Sequence, residues 1–160
     1  ILSINEYYIK NFNEKELYEV FKKYSSEYKK KIEDKFDKNL INSIHFLKNK
    51  AKKLEDIYKN AEYIINENIV ISEEDSKLLD DASKKIIKSF LNDYEKIDRI
   101  DREILEKIIK NLVRSNNNNF KGVGQPLRIA LTGSKFGPGI YDIILSLDKS
   151  EVVKRLKIII

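Results

Sequence analysis

Residues 126–144 read PLRIALTGSKFGPGIYDII, and they hold both prolines of the chain and three of its five glycines. Everywhere else the pattern is helical, so this stretch decides how the helices stop, turn and restart. Pro126 suits the first position of a short helix, because its missing N–H costs nothing there. Gly133 then ends that helix as a left-handed C′ residue. Gly137-Pro138-Gly139 makes a tight reversal, and IYDIILSL and SEVVKRLKIII follow as two more short helices.

Working outward, the apolar spacing keeps a period of 3.6. In NEKELYEVFKKYSSEY, Leu17, Val20, Phe21 and Tyr24 share one face, with Asn13 and Glu16 as a capping pair at the start. Leu40, Ile44 and Leu47 mark a third helix. Leu54, Ile57, Tyr58, Ala61, Ile64 and Ile65 mark a fourth, after a break across residues 48–53. In NENIVISEEDSKLL, Asn66 and Asn68 form a turn, residues 69–71 run extended, and Ser72 caps a helix whose first turn is acidic. That helix is expected to continue through Leu78, Leu79, Ala82, Ile86, Ile87 and Phe90 to about Leu91. Another spans about 99–114 through Ile104, Leu105, Ile108 and Leu112. SNNNNFKGVGQ reads as a loop. The expectation is an all-α chain of two small helical subdomains, 1–68 and 69–160.

Composition narrows the chemistry. There is no Cys, hence no disulfide, thiolate nucleophile or Cys-held zinc, and the single His45 is expected to pack partly buried. No apolar run is long enough to span a membrane. No signal peptide is visible and the chain opens on Ile1, which reads as a segment of a longer polypeptide. Gly133-Ser134-Lys135 is not a phosphate-binding loop, which needs Gly directly before Lys. Asp80-Asp81 reads as solvated surface. No nucleophile, base and oxyanion hole assemble, so neither a catalytic group nor a metal site is expected. The net charge is +5, of which residues 120–160 carry +4, with 7 Lys/Arg against 3 acids. An anionic partner is the functional reading of that bias.

The glycine-rich stretch has two readings. Glycines allow close approach of backbone to a ligand, and exposed N–H and C=O groups can pair with a splayed base. Phe136, Ile140 and Tyr141 lie beside them for stacking, and Lys121, Arg128 and Lys135 are placed to meet phosphates. The alternative is an ordinary corner between helices with Phe136 and Ile140 in the core.

GQPLRIALTGSKFGPGIYDIILSLDKSEVVKRL (124–156) closely resembles the C-terminal signature of bacterial glutamyl-tRNA synthetases. The matching parts are Pro126-Leu127-Arg128, Ala130-Leu131-Thr132-Gly133, the turn at Pro138 and the pair Arg155-Leu156. Asp148 departs from the family pattern, in which a Gly usually stands between the last two helices. Residues 4–24 are similar to the family's Asn-x-x-Tyr-Ile followed by an amphipathic helix, and residues 46–72 to its next helix pair. The resemblance implies the all-α anticodon-binding helical cage of class I glutamyl-tRNA synthetases, attached to a Rossmann-type catalytic domain of the same polypeptide. That domain's HIGH and KMSKS signatures do not occur in these residues. The resemblance also implies tRNA-Glu as partner, tRNA-Gln as a second one in a dual-specific enzyme, and ATP and Mg used only by the full-length ligase. It implies a cytoplasmic monomer as well.

Residue by residue, Lys50 matches the position that contacts the third anticodon base. Arg there goes with strict tRNA-Glu reading and Gln with tolerance of tRNA-Gln; Lys is neither. Gly137, Pro138 and Ile140 match the turn whose main chain and apolar side chain meet the first two bases. Gln125 and Arg128 match positions facing the anticodon loop, a buried structural pair being the alternative for Arg128, and Tyr141 joins them beside the turn. Lys121 and Lys135 are candidate phosphate contacts. A helical protein–protein adaptor without an RNA role is the competing reading from another class.

Overall fold

Short polar side chains start five of the helices of this protein. Asn13 accepts the N–H of Glu16 (2.8 Å), Ser72 that of Asp75 (3.1 Å), and Asp80 that of Ser83 (2.9 Å). Asp101 likewise accepts from Ile104 (2.8 Å) and Asn119 from Gly122 (2.7 Å). Each satisfies one of the amide groups that a helix start leaves without a partner. The computed structural model describes residues 6–160, with side chains from Tyr8 onward. The Asn-x-x-Tyr-Ile segment therefore begins, at Asn5, outside the described residues.

The described residues contain ten α-helices and one 3₁₀ turn. The chain divides into two compact units, Ile1–Glu67 and Asn68–Ile160. In the first unit lie α1 (Glu6–Asn11), α2 (Glu14–Tyr28), α3 (Asp37–Leu47) and α4 (Leu54–Ile65). α2, α3 and α4 pack on one another around Leu17, Phe21, Leu40, Ile44, Leu47, Ile57 and Ile64. The buried stripe of α2 is Leu17, Tyr18, Phe21 and Ser25, whereas Val20 and Tyr24 are only half buried. Tyr18 is in the core because its hydroxyl finds Asp37, the first residue of α3, while Lys22 bonds the same carboxylate at 2.9 Å. His45 is exposed, with its ring against the edge of Phe46, so the expected part-buried placement is corrected. It falls on the solvent side of α3, next to the buried Ile44 and Phe46.

The second unit holds α5 (Glu73–Ser76), α6 (Asp81–Glu95), α7 (Arg102–Ser115), α8 (Phe120–Thr132), α9 (Ile140–Ser146) and α10 (Lys149–Ile159). α8 is its centre and packs against α6, α7, α9 and α10. Two helix limits differ from the sequence reading. The helix opened by Ser72 stops after one turn and restarts at Asp80, whose carboxylate serves as a cap rather than as plain surface charge. α8 begins at Phe120 rather than at Pro126, which sits in its interior. The Asn119 cap starts the helix early, and burial of Val123, Gly124, Leu127 and Ile129 outweighs the bond to Gly122 that Pro126 cannot make. Only the Asn-rich part of the expected loop is non-helical.

Gly133 ends α8 at φ 81°, and its N–H donates to Ile129 (2.8 Å), as expected of a left-handed cap. α9 and α10 follow where the spacing placed them. Asp148 has φ −61°, a backbone that any residue adopts. Arg155 is buried at 3% exposure, donating to Glu151 (2.7 Å) and to the carbonyl of Leu131 near the end of α8 (2.7 Å).

Candidate nucleic-acid interface

The turn from 133 to 139 is tied at both ends by side chains of α8. Thr132 donates its hydroxyl hydrogen within reach of the carbonyls of Arg128 (2.9 Å) and Ser134 (3.1 Å), and its oxygen accepts the N–H of Ser134 (3.2 Å). The hydroxyl of Ser134 in turn accepts the N–H of Phe136 (3.1 Å). From one turn earlier on α8, Arg128 donates to the carbonyl of Gly137 (3.1 Å) and to that of Pro138. Burial pushes its pKa down from the usual guanidinium value, and the side chain stays a cation. A planar, permanently charged donor holding two consecutive carbonyls is what an irregular backbone needs to keep one shape.

Around this frame the expected site residues fall into different environments. Gly137 has φ 131°, and nothing lies within 4 Å of where a Cβ would stand. Pro138 is half buried, and Gln125 shares that intermediate exposure on α8. Lys121 is exposed; Lys135 is half exposed with its ammonium 5.5 Å from the ring of Phe136. Tyr141 is half buried beneath Arg102, 5.0 Å from the ring, with Phe120 5.7 Å away centre to centre. Burial, with Glu106 nearby, raises the Tyr141 phenol pKa, and Arg102 opposes that shift.

The two readings of the corner divide between residues. Ile140 is core, at 1% exposure, so its side chain does not meet an incoming base in this conformation. The reason is its register: as the first residue of α9 it turns inward, and its Cγ2 lies 3.8 Å from the Cβ position of Gly124. Phe136, by contrast, is 75% exposed. Arg128 takes the structural alternative, with the carbonyls of Gly137 and Pro138 as its partners.

In the first unit, Lys50 lies in the turn between α3 and α4, exposed and at φ 62°. Only it and Asn117 take a left-handed backbone without being glycine among the described residues. Asp56 at the third position of α4 accepts the N–H groups of Lys52 (2.9 Å) and Lys53 (3.2 Å), anchoring the exit of this loop. Those two amides, the first above all, hold its carboxyl below the usual range despite the opposing effect of burial. Among the described residues no carboxylate lies within 4.0 Å of the Lys48, Lys50 or Lys52 ammonium groups. The Asp56 anchor escaped the sequence reading, although an acid at the third position of a helix is a recognisable start signal. The Thr132–Ser134 ties also escaped it, and hydroxyl residues around a helix-ending glycine are their visible sign.

Fold and site define a class: an all-helical protein that presents a pinned, basic, glycine-rich turn. Residues 15–160 match the family described as "Anticodon binding domain", and the chain belongs to that family. It is 53% identical over its whole length to a glutamate–tRNA ligase of Pelagibacter ubique, covering 35% of that protein. To the glutamate–tRNA ligase of Wigglesworthia glossinidia brevipalpis it is 29% identical, again over its whole length, covering 34% of that protein. The chain thus spans about a third of the length of these relatives. The crystal structure of a glutamate tRNA ligase from Elizabethkingia meningosepticum in complex with its amino acid shares the fold. The TM-score there is 0.81 at 21% identity, over 97% of this chain and 30% of that one.

Proposed function

We propose that this chain is the tRNA-reading part of a glutamate–tRNA ligase and positions tRNA-Glu for aminoacylation by a catalytic domain of the same polypeptide. ATP and Mg belong to that catalytic domain, and the ligase works in the cytoplasm as a monomer. The observation that carries the reading is the turn at 133–139. Arg128 fixes its backbone while the surface around Gly137 stays open, in a chain that belongs to the anticodon binding domain family. In this reading residues 69–160 form the anticodon-binding subdomain. The main chain at Gly137, Pro138 and Ile140, with Gln125 and Tyr141, lines the approach to the first two anticodon bases. Arg128 shapes that lining. Lys121 and Lys135 meet phosphates, and Lys50, in residues 1–68, meets the third base.

Phosphate contacts make binding salt-dependent through counterion release; the two contacts of Lys121 and Lys135 to unpaired strand correspond to about a 7-fold loss of affinity between about 50 and 200 mM salt. Titration of tRNA-Glu at those two ionic strengths tests this, and an affinity that ignores salt refutes it. Lys50→Ala is expected to narrow the preference for the cognate third base more than it lowers overall affinity. Equal losses on cognate and mismatched loops would remove Lys50 from the site. Lys offers a point charge where Arg offers a fork. Titrating tRNA-Gln beside tRNA-Glu therefore separates a strict from a dual-specific enzyme. Failure of both tRNAs to bind would leave the protein–protein adaptor.

A further inference from the structure

We propose that Phe136 is a stacking platform for one unpaired nucleobase, with the Lys135 ammonium over the ring; the inference rests on the tRNA-reading function above. Most phenylalanines of this chain are used for packing: Phe21 and Phe90 are fully buried and Phe46 is 7% exposed. Phe120, at 49%, still leans on Tyr141. Phe136 has no aromatic neighbour among the described residues, and three quarters of its surface faces solvent. Leaving a ring in water forgoes the favourable burial that the other rings obtain.

The backbone beneath it is not loose. On one side Ser134 is bonded to Thr132 and accepts the N–H of Phe136 itself; on the other, Arg128 holds Gly137 and Pro138. A ring projecting from a fixed backbone loses little freedom when something stacks on it. Gly137 follows directly and leaves open space where any other residue would place a Cβ, so a flat group can approach over the turn.

Chemistry selects the occupant. Its neighbours along the turn, Ser134, Lys135 and Gly137, are polar or lack a side chain, whereas a protein interface needs about 800 Å² on each side around an apolar core. A cation at 5.5 Å and a local charge of +4 over residues 120–160 favour an anionic partner carrying a planar group. An unpaired nucleotide has both. Every base has a π-face, so the contact adds affinity without choosing sequence, unlike the role proposed for Lys50.

The chain contains no Trp, so Phe136→Trp installs a single indole fluorophore at the platform. The probe is a synthetic RNA hairpin carrying the seven-nucleotide anticodon loop of tRNA-Glu. Phe136→Ala and Phe136→Leu are each expected to bind it about 5- to 150-fold more weakly, on cognate and mismatched loops alike. Melting temperature and salt slope should stay unchanged. Phe136→Trp should keep the affinity within about threefold, and its indole emission should be quenched at saturation. Two results overturn the platform and leave the tRNA-reading function standing. One is that the unaltered chain binds the hairpin and the Ala and Leu variants bind it equally well. The other is that the indole emission of the Phe136→Trp variant stays constant at saturation. If the unaltered chain binds neither hairpin nor tRNA-Glu, both fall.

Discussion

Replacing Gly133 with Ala tests how the 133–139 turn is joined to the rest of the second unit. At φ 81° an L-residue pays roughly 1–2 kcal/mol for the left-handed backbone. The added Cβ would also stand 2.5 Å from the carbonyl oxygen of Val70 and 3.0 Å from Cγ2 of Ile69. That is about 1 Å inside the best separation of non-bonded atoms, and the nearer obstacle is backbone, which cannot swing aside. Overpacking of this kind costs roughly 1–3 kcal/mol, so the sum is about 2–5 kcal/mol. For a unit of this size that corresponds to a fall of at least about 8 °C in melting temperature. Gly137→Ala is the control, since φ is 131° there but nothing lies within 4 Å of the new Cβ. Thermal unfolding followed by circular dichroism reads both variants. If Gly133→Ala melts no lower than Gly137→Ala, the close approach of residues 69 and 70 to Gly133 carries no weight in stability.

Three further outcomes follow from the same geometry. Arg155→Met leaves the Leu131 carbonyl and the Glu151 carboxylate without their buried donor and should cost about 3 kcal/mol, read as a lower urea midpoint at unchanged slope. Arg128→Ala frees the carbonyls of Gly137 and Pro138, so amide exchange across 134–139 should speed up about tenfold while α4 is unaffected; unchanged exchange would contradict the clasp. For Asp37, burial raises the carboxyl pKa, but the Tyr18 hydroxyl and Lys22 outweigh it, and Asp56 is likewise held low by the Lys52 and Lys53 amides. A depressed folded pKa gives stability that is present above the ordinary aspartate value, about 3.9, and lost as pH falls below it. Unfolding titrations should therefore show the first unit weakening below about pH 4, less steeply in Asp37→Asn and Asp56→Asn.

Helix number and order in the last third of the chain were readable because local chemistry decides them. Gly133 was recognisable as a left-handed cap, and the apolar period of α9 and α10 survives into the fold. Asn13 and Ser72 announced their helices in the same way. Failures came where burial overrode a local rule. Pro126 reads as a helix start, yet α8 runs through it because the residues on both sides are needed in the core. Leu78 and Ala82 continue a helical stripe on paper, but Asp80 interrupts it and both are exposed.

The candidate site divides along the same line. Sequence by itself determined that a basic, glycine- and proline-rich turn stands between two helices near the C-terminal end, since backbone freedom and charge are properties of the residues alone. Only the tertiary structure decided which side chains that turn keeps and which it offers. Neighbours four positions apart, Phe136 and Ile140, look equally apolar on paper; one is open to water and the other is sealed against α8. Arg128 could equally have pointed to solvent, and it is the packing of α8 against the turn that aims its guanidinium at two carbonyls. Side-chain direction depends on contacts made by residues distant along the chain, and those contacts exist only once the helices have packed.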